Sequence, residues 1–129
     1  IGNSEKAILP IIAFPAEQKI RTPKVKKERS KYSQEKIVAG DSRYKILSEL
    51  AANVFDALGA QDVLRIDFRE DAAGMPHVID VNGNPALAPT ASLAQMAHWA
   101  GLSYAEFIKL LLNIALERVR KQIDDKEIA

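Results

Sequence analysis

Two short runs in the middle of the chain carry polar residues whose types suit cation and phosphate chemistry. Arg65 and Asp67 alternate with apolar residues in the first run, and Asp80 and Asn82 do so in the second. Side chains alternate between the two faces of a strand, so all four polar groups share one face if both runs are strands. Carboxylate and amide oxygens suit a hard cation such as Mg²⁺, and arginine adds fixed positive charge. The spacing therefore predicts either a cation site or a solvated polar edge.

The segment between the two runs, residues 69–76, has the composition of a hairpin connection, with Asp, Gly and Pro. The two strands are therefore predicted to pair antiparallel. A register that places Asp67 opposite Asp80 also places Arg65 opposite Asn82. Facing carboxylates repel each other. This register therefore favours a bound cation, and Mg²⁺ usually leaves coordination positions open for substrate phosphates.

The segment before the hairpin supplies a strand and a helix that can position it. Ala7–Phe14 is an apolar run interrupted by Pro10, which indicates an edge strand, and we expect it to join the sheet of the hairpin. Asp41 is a suitable N-cap, and apolar residues then recur at helical spacing. The pattern predicts an amphipathic helix over Ser42–Leu58.

Two further helices are predicted after the hairpin. A short one begins at Thr90 or Ser92, either of which could cap it. The last one opens with Ser103 and Glu106 at the spacing of a capping box and runs to about Ile123, beyond which the tail is expected to fray. The order of elements predicts a single α+β domain over residues 1–129, with helices packed on one face of an antiparallel sheet.

Residues 15–40 lack periodicity and are predicted to form a mobile basic loop. Eight Lys or Arg and two Glu fall between Lys19 and Lys36, which leaves ten basic and fifteen acidic residues elsewhere. Three interpretations remain open: a solvated charge run, a loop that closes over phosphates, or a nucleic-acid contact. Tyr32 is the one aromatic residue in this segment that could stack on a base, which disfavours the third.

The composition excludes some classes of function. Of the 129 residues, 47% are hydrophobic and 27% are charged, which is typical of a globular protein with a real core. The sequence has no cysteine, so neither a disulfide framework nor a thiolate metal site is possible. It shows neither a signal segment nor an apolar run near the roughly 20 residues that span a bilayer. We expect a cytoplasmic protein with no membrane contact.

Three segments together resemble the carboxyl-terminal part of the D-alanine–D-alanine ligase group of ATP-grasp enzymes. They are Arg65–Phe68, Asp80–Pro85 and Ala100–Tyr104. The resemblance implies an ATP-dependent carboxylate–amine ligase that acts on a small amino acid or peptide. It implies that ATP activates a carboxylate as an acyl-phosphate, which an amine then attacks. ATP and Mg²⁺ are the implied cofactors, with Mn²⁺ as an alternative cation.

The resemblance also implies roles for residues of the hairpin. Asp67, Asp80 and Asn82 match the ligands of the Mg²⁺ ions that hold the ATP phosphates. Arg65 matches the arginine that steadies the acyl-phosphate and the tetrahedral intermediate. Asp80 stands where the family usually has Glu, so its carboxylate reaches one methylene less far.

Other matched residues lie in the basic segment and near the short helix. Lys26 matches a loop lysine that approaches the γ-phosphate, and Lys31 is a second possible match. Ser92 matches a serine near the carboxylate of the acceptor substrate. The segment between the hairpin and Ser92 departs from the family, because Ala86 replaces the usual Gly and the loop is one residue longer.

The adenine-binding part of the family would precede Ile1. We therefore expect this chain to be a fragment, inactive alone and completed by the preceding part of the same protein. Two other functions remain open. One is a non-enzymatic module that binds an anionic partner such as nucleic acid through the basic loop. Nucleic acid is the less favoured partner. The other is a degenerate ligase domain that acts as a scaffold.

Overall fold

The computed structural model describes residues 1–14 and 34–128. This part of the chain contains four strands and three helices. In chain order they are β1 (Ile11–Ala13), β2 (Glu35–Ile37), α1 (Ser42–Ala57), β3 (Arg65–Glu70), β4 (Pro76–Asn82), α2 (Ser92–Trp99) and α3 (Tyr104–Ile128). The predicted α+β class is confirmed. The described strands form two separate two-stranded antiparallel sheets rather than one sheet.

Strand β1 does not join the sheet of the hairpin as predicted. It pairs antiparallel with β2, with Ile11 opposite Ile37. It begins only after Pro10, which lacks the amide hydrogen that a ladder needs. Residues 35–37, predicted to lie in the basic loop, thus form a strand, and Ile37 is buried. Residues 15–33 of that predicted loop lie outside the described residues.

Strands β3 and β4 form the predicted antiparallel hairpin. Asp67 lies opposite Asp80 and Arg65 lies opposite Asn82, so the predicted register is confirmed at this end of the ladder. At the other end Asp71 stabilises the turn, because its Oδ1 accepts hydrogen bonds from two turn amides at 2.9 and 3.0 Å. The connection is shorter than predicted, since both strands extend further into it.

A β-bulge interrupts the ladder directly after the facing carboxylates. Phe68 lies opposite Val78, which leaves Ile79 as an extra residue on β4, and Ile79 is 62% exposed. Further along, Arg69 lies opposite His77. Arg69 is on the polar face, and residues directly opposite each other share a face, so His77 is also on it. His77 shares this face although it is an odd number of residues from Asp80, because the bulge breaks the alternation along β4.

Helix α1 begins as predicted and ends one residue earlier than predicted. Asp41 is its N-cap, and its Oδ1 accepts a hydrogen bond from the Arg43 amide at 2.9 Å. The Arg43 guanidinium also donates to the Glu35 carboxylate at 2.6 Å and so ties the helix to β2. Side-chain hydrogen bonds from Arg43 lower the pKa of both Asp41 and Glu35.

Helix α3 begins with the predicted capping box. The Ser103 amide donates to Glu106 Oε2 at 2.7 Å, and the Glu106 amide donates to Ser103 Oγ at 3.2 Å. Leu102 packs against the buried cluster that contains Phe107, as a hydrophobic staple requires. The helix continues to Ile128, so the predicted fraying of the tail is wrong. The tail residues include Lys and Glu, which are good helix formers even without burial.

The main core lies between α2 and α3. Its buried residues are Leu93, Ala94, Ala97 and Phe107. The N-cap of α2 is Ala91, which makes no side-chain cap, so neither Thr90 nor Ser92 holds the predicted cap position. In the described ranges no single helix is long and apolar enough to cross a membrane. Helices α2 and α3 together reach that length and composition, with a bend of 101° between them.

Candidate functional site

The polar face of the hairpin forms one side of a cleft with a volume of about 680 Å³. Arg65, Asp67 and Asp80 line this side. The other side is formed by residues between Pro85 and Leu93, which connect β4 to the first turn of α2. The cleft thus brings together charged side chains from two strands and a loop of small, neutral residues.

Arg65 and Asp67 lie two residues apart on β3 and form a bidentate ion pair. Arg65 Nε donates to Asp67 Oδ1 at 3.0 Å, and Arg65 Nη2 donates to Asp67 Oδ2 at 3.2 Å. Two parallel hydrogen bonds fix the orientation of both planar groups, which a single contact would not do. The guanidinium is therefore held at the cleft, and its positive charge lies beside the facing carboxylates of Asp67 and Asp80.

Asp80 faces Asp67 across the ladder but has a different environment. Within the described part of the chain its side chain makes neither a hydrogen bond nor an ion pair. Its side chain is exposed and lines the cleft. Carboxylates that lie directly opposite each other repel, and Arg65 compensates only Asp67. The site therefore retains one carboxylate without a bound positive charge.

Asn82 lies opposite Arg65, as predicted, but it uses its side chain locally. Its Oδ1 accepts a hydrogen bond from the Asn84 amide at 2.9 Å and so closes an Asx turn at the end of β4. It is not among the residues that line the cleft. The structure thus brings Asp67 and Asp80 together at the cleft, while Asn82 stabilises the loop that forms its other side.

The donor set suits a hard cation. No group of three or more His, Asp or Glu side chains suited to a metal ion occurs within residues 1–14 and 34–128. The cleft instead offers two carboxylates, and the amide oxygen of Asn82 belongs to the same ladder. A cation such as Mg²⁺ takes one or two carboxylates from a protein and fills its other positions with water and phosphate oxygens. Asp67 and Asp80 fit that use.

Ser92 lies at the opposite side of the cleft. It is the first residue of α2, is partly buried and lines the cleft. The predicted loop lysines, Lys26 and Lys31, lie outside the described residues. Among the predicted site residues, the structure therefore places Arg65, Asp67, Asp80 and Ser92 at the cleft.

The start of β3 is anchored by a second ion pair. Asp62 has a φ of +64°, a conformation that aspartate tolerates better than most side chains. Its carboxylate accepts two hydrogen bonds from Arg118, at 2.9 and 2.7 Å, and one from the Asn3 amide group at 3.2 Å. The side-chain hydrogen bonds from Arg118 lower the pKa of Asp62. Helix α3, through Arg118, and the segment before β1, through Asn3, thus hold the start of the strand that carries Arg65.

The contact that holds the loop side of the cleft leaves no signal in the sequence. Tyr104, the first residue of α3, donates a hydrogen bond from its hydroxyl to the Leu87 carbonyl at 3.0 Å. Ala86 and Ala88, on either side of Leu87, both line the cleft. Neither alanine carries a chemical signal, and the contact joins residues seventeen positions apart. Only Pro85 and Pro89 marked this stretch as a loop of restricted shape.

A family model described as the D-ala D-ala ligase C-terminus matches residues 2–113. The chain belongs to this family. The resemblance seen in the hairpin and at the start of α3 is thereby confirmed, since all three of its segments lie within the matched residues. The match to the D-ala D-ala ligase C-terminus also includes the loop from Pro85 to Ala91, where the sequence departs from the usual pattern.

Several curated relatives are D-alanine–D-alanine ligases. The one from Pelotomaculum thermopropionicum is 26% identical over 123 residues, which are 91% of this chain and 37% of the relative. The one from Pseudarthrobacter chlorophenolicus is 40% identical over 70 residues, which are 54% of this chain and 18% of the relative. The chain thus spans less than two fifths of the length of these relatives.

A solved structure has the same fold. It is the crystal structure of the D-alanine–D-alanine ligase from Bacillus anthracis complexed with ATP. The TM-score is 0.69 at 22% identity, over 95% of this chain and 36% of the other. The two small sheets and three helices of the chain therefore have a counterpart within a larger enzyme structure.

Proposed function

We propose that this chain is the metal- and phosphate-binding part of an ATP-dependent carboxylate–amine ligase of the D-alanine–D-alanine ligase type. The observation that carries the proposal is the pair Asp67 and Asp80, which face each other in one cleft with Arg65 bound beside them. Membership of the family supports the class of reaction. Catalytic activity in this proposal belongs to the complete gene product, in which the chain supplies one part of the ATP site.

The reaction has two steps. A substrate carboxylate oxygen bonds to the γ-phosphorus of ATP and ADP leaves; an amine nitrogen then bonds to the acyl carbon, and phosphate leaves with the C–O bond electrons. Phosphoryl transfer depends mainly on positioning and charge neutralisation. Asp67 and Asp80 would hold Mg²⁺, which would neutralise phosphate charge. Asn82 Oδ1 accepts from the Asn84 amide and would reach the cation only through its remaining lone pair. Arg65 would stabilise negative charge that develops on the acyl-phosphate and the tetrahedral intermediate.

The two sides of the cleft suit different ligands. Charge on the hairpin side attracts a cation and phosphate, whereas the loop side presents Ala86, Ala88, Ala91 and Ser92. Such short side chains leave room for a substrate, and they carry no charge that would compete for phosphate. We place a small amino acid or peptide at the loop side, with Ser92 near the carboxylate of the acceptor. Lys26 or Lys31 would complete the phosphate site from the basic segment.

The experiment that tests this proposal uses the complete gene product. Wild-type protein should release ADP with D-alanine, ATP and Mg²⁺. It should also bind a non-hydrolysable ATP analogue in a Mg²⁺-dependent manner in titration calorimetry. Asp67→Asn and Asp80→Asn should each abolish ADP release and the Mg²⁺-dependent part of nucleotide binding.

The matched control is Asp124→Asn, which removes a carboxylate from the exposed last turns of α3. It should behave as the wild type in both assays. Full ligase activity in Asp67→Asn would show that the metal assignment is wrong. Wild-type protein that releases no ADP with any amino acid or dipeptide would contradict the function itself.

A further inference from the structure

Three hydrogen bonds between described residues help to hold the loop side of the cleft. At its start the Asn84 amide donates to Asn82 Oδ1 at 2.9 Å, and at its end the Ala91 amide donates to the Ala88 carbonyl at 2.9 Å. Between these two turns the hydroxyl of Tyr104 donates to the Leu87 carbonyl at 3.0 Å. Among the described residues this is the side-chain hydrogen bond that ties the middle of the loop to a helix.

Tyr104 is well placed to fix that loop. It is the first residue of α3, and the capping box of Ser103 and Glu106 determines where the helix begins. The following turn contains Phe107, which is fully buried between α2 and α3. The ring of Tyr104 is therefore attached to a rigid helix start, and its hydroxyl transmits that rigidity to the loop.

The residues that the contact positions are those that face the cleft. Leu87 does not line the cleft, but its neighbours Ala86 and Ala88 do. A hydrogen bond to the carbonyl between them fixes the peptide plane that joins Leu87 to Ala88. Displacement of this peptide would move both methyl groups relative to Asp67 and Asp80. The carboxylates themselves lie on the hairpin and would stay in place.

We propose that Tyr104 is a positioning residue for the amine acceptor, an amino acid with a small side chain. By holding the Leu87 carbonyl, it fixes the small-residue wall of the cleft against which this substrate binds. This inference rests on the proposed function. It predicts that loss of the hydroxyl weakens binding of the acceptor and leaves the ATP side of the cleft unchanged.

The test compares Tyr104→Phe with Tyr44→Phe in the complete gene product. Tyr44→Phe is a matched control, because the Tyr44 hydroxyl donates to the Ile8 carbonyl at 2.8 Å and Tyr44 does not line the cleft. D-alanine is the substrate probe, and ADP release is measured against both D-alanine and ATP. Hydroxylamine, a nucleophile that needs no acceptor site, is used separately to trap the acyl-phosphate as a hydroxamate.

Tyr104→Phe should raise the KM for the acceptor by about three- to tenfold, the range expected for one lost hydrogen bond. The KM for ATP, kcat at saturating D-alanine and the rate of hydroxamate formation should stay within about twofold of the wild type. Hydrogen exchange at residues 86–91 should be faster in Tyr104→Phe than in Tyr44→Phe.

Three results would overturn the inference. They are an unchanged acceptor KM in Tyr104→Phe, an equal rise in Tyr44→Phe, and a rise in the KM for ATP that matches the rise for the acceptor. Each leaves the proposed ligase function standing, since the wild type is active in all three. A wild type that forms neither ADP nor hydroxamate would contradict both proposals together.

Discussion

Asp67 and Asp80 lie opposite each other in the β3–β4 ladder, and of these two carboxylates Arg65 binds Asp67. The two carboxylates are therefore not equivalent. Asp67 is oriented by two hydrogen bonds, whereas Asp80 carries a charge that nothing in the described part of the chain compensates. Without a bound cation, the hairpin holds a repulsive pair on the side of the cleft where the proposed cation and phosphates bind.

The first prediction concerns the energetic cost of that pair. Asp80→Asn should raise the free energy of unfolding by roughly 0.2–1 kcal/mol in the absence of divalent cations, because it removes a like-charge cross-strand contact. Asp67→Asn should give no such gain, because it also removes the partner of Arg65. Urea unfolding with EDTA measures both changes. Saturating Mg²⁺ should stabilise the wild type and neither variant, and a wild type insensitive to Mg²⁺ would contradict the prediction.

The second prediction separates charge from geometry at Arg65. Arg65→Lys keeps the positive charge but cannot form two parallel hydrogen bonds to Asp67. We expect kcat to fall by at least about tenfold, with nucleotide binding close to that of the wild type. The control is Arg69→Lys, on the same strand and outside the cleft lining. Equal kcat values in Arg65→Lys and the wild type would show that Arg65 does not stabilise the transition state through its paired hydrogen-bond geometry.

The third prediction is a dependence of stability on pH. Hydrogen bonds from Arg118 lower the pKa of Asp62 below its usual 3.8, so the pair stabilises the fold above that pH. The contribution is lost as the pH falls through the lower pKa of the folded state. Asp62→Asn keeps a residue that tolerates positive φ, and it should cost about 1–2 kcal/mol at neutral pH. This difference should shrink toward zero as the solution is acidified through the lowered pKa.

Urea unfolding of the wild type and Asp62→Asn, at a series of pH values from neutral to strongly acidic, measures the difference. The control is Asp124→Asn, which alters an exposed carboxylate without a partner among the described residues. It should show no comparable dependence on pH. A constant difference between the wild type and Asp62→Asn across this range would mean that the ion pair contributes nothing to stability.

The fourth prediction tests the capping box that sets the start of α3. Ser103→Ala removes the acceptor for the Glu106 amide and should lower the free energy of unfolding by about 1 kcal/mol. Ser48→Ala is the control, because the Ser48 hydroxyl donates to the Lys45 carbonyl within α1 and caps nothing. Alanine has the higher helix propensity, so Ser48→Ala should be neutral or stabilising. Chemical denaturation of both variants measures the difference, and equal effects would exclude a capping role.

The register of the hairpin could be predicted because its residues alternate cleanly near Asp67 and Asp80. The bulge could not be predicted, since Val78 and Ile79 are both apolar and β-branched and no glycine marks the break. The pairing of β1 with β2 joins Ile11 to Ile37 across 25 residues that show no periodic pattern. Long-range pairing of this kind leaves no local signal.

The site was predictable where chemistry depends on charged side chains and unpredictable where it depends on shape. Arg65, Asp67 and Asp80 stand out by type and spacing, and all three line the cleft. Ala86 and Ala88 line it too, but their role is to leave space, which no residue type signals. The end of α3 is unmarked for a related reason, because the apolar residues stop before the helix does and polar helix formers continue it.

The extra residue on β4 divides the hairpin into two segments with independent phases of side-chain alternation. An insertion or deletion of one residue in the tip, at Asp71 or Gly74, would leave the carboxylate pair in register, because that pair lies on the other side of the bulge. Deletion of Ile79 would instead remove the bulge and put both segments in one phase, with Val78 still opposite Phe68 and His77 still opposite Arg69. The end of the hairpin that carries Asp67 and Asp80 can therefore stay constant while its tip changes in length and composition.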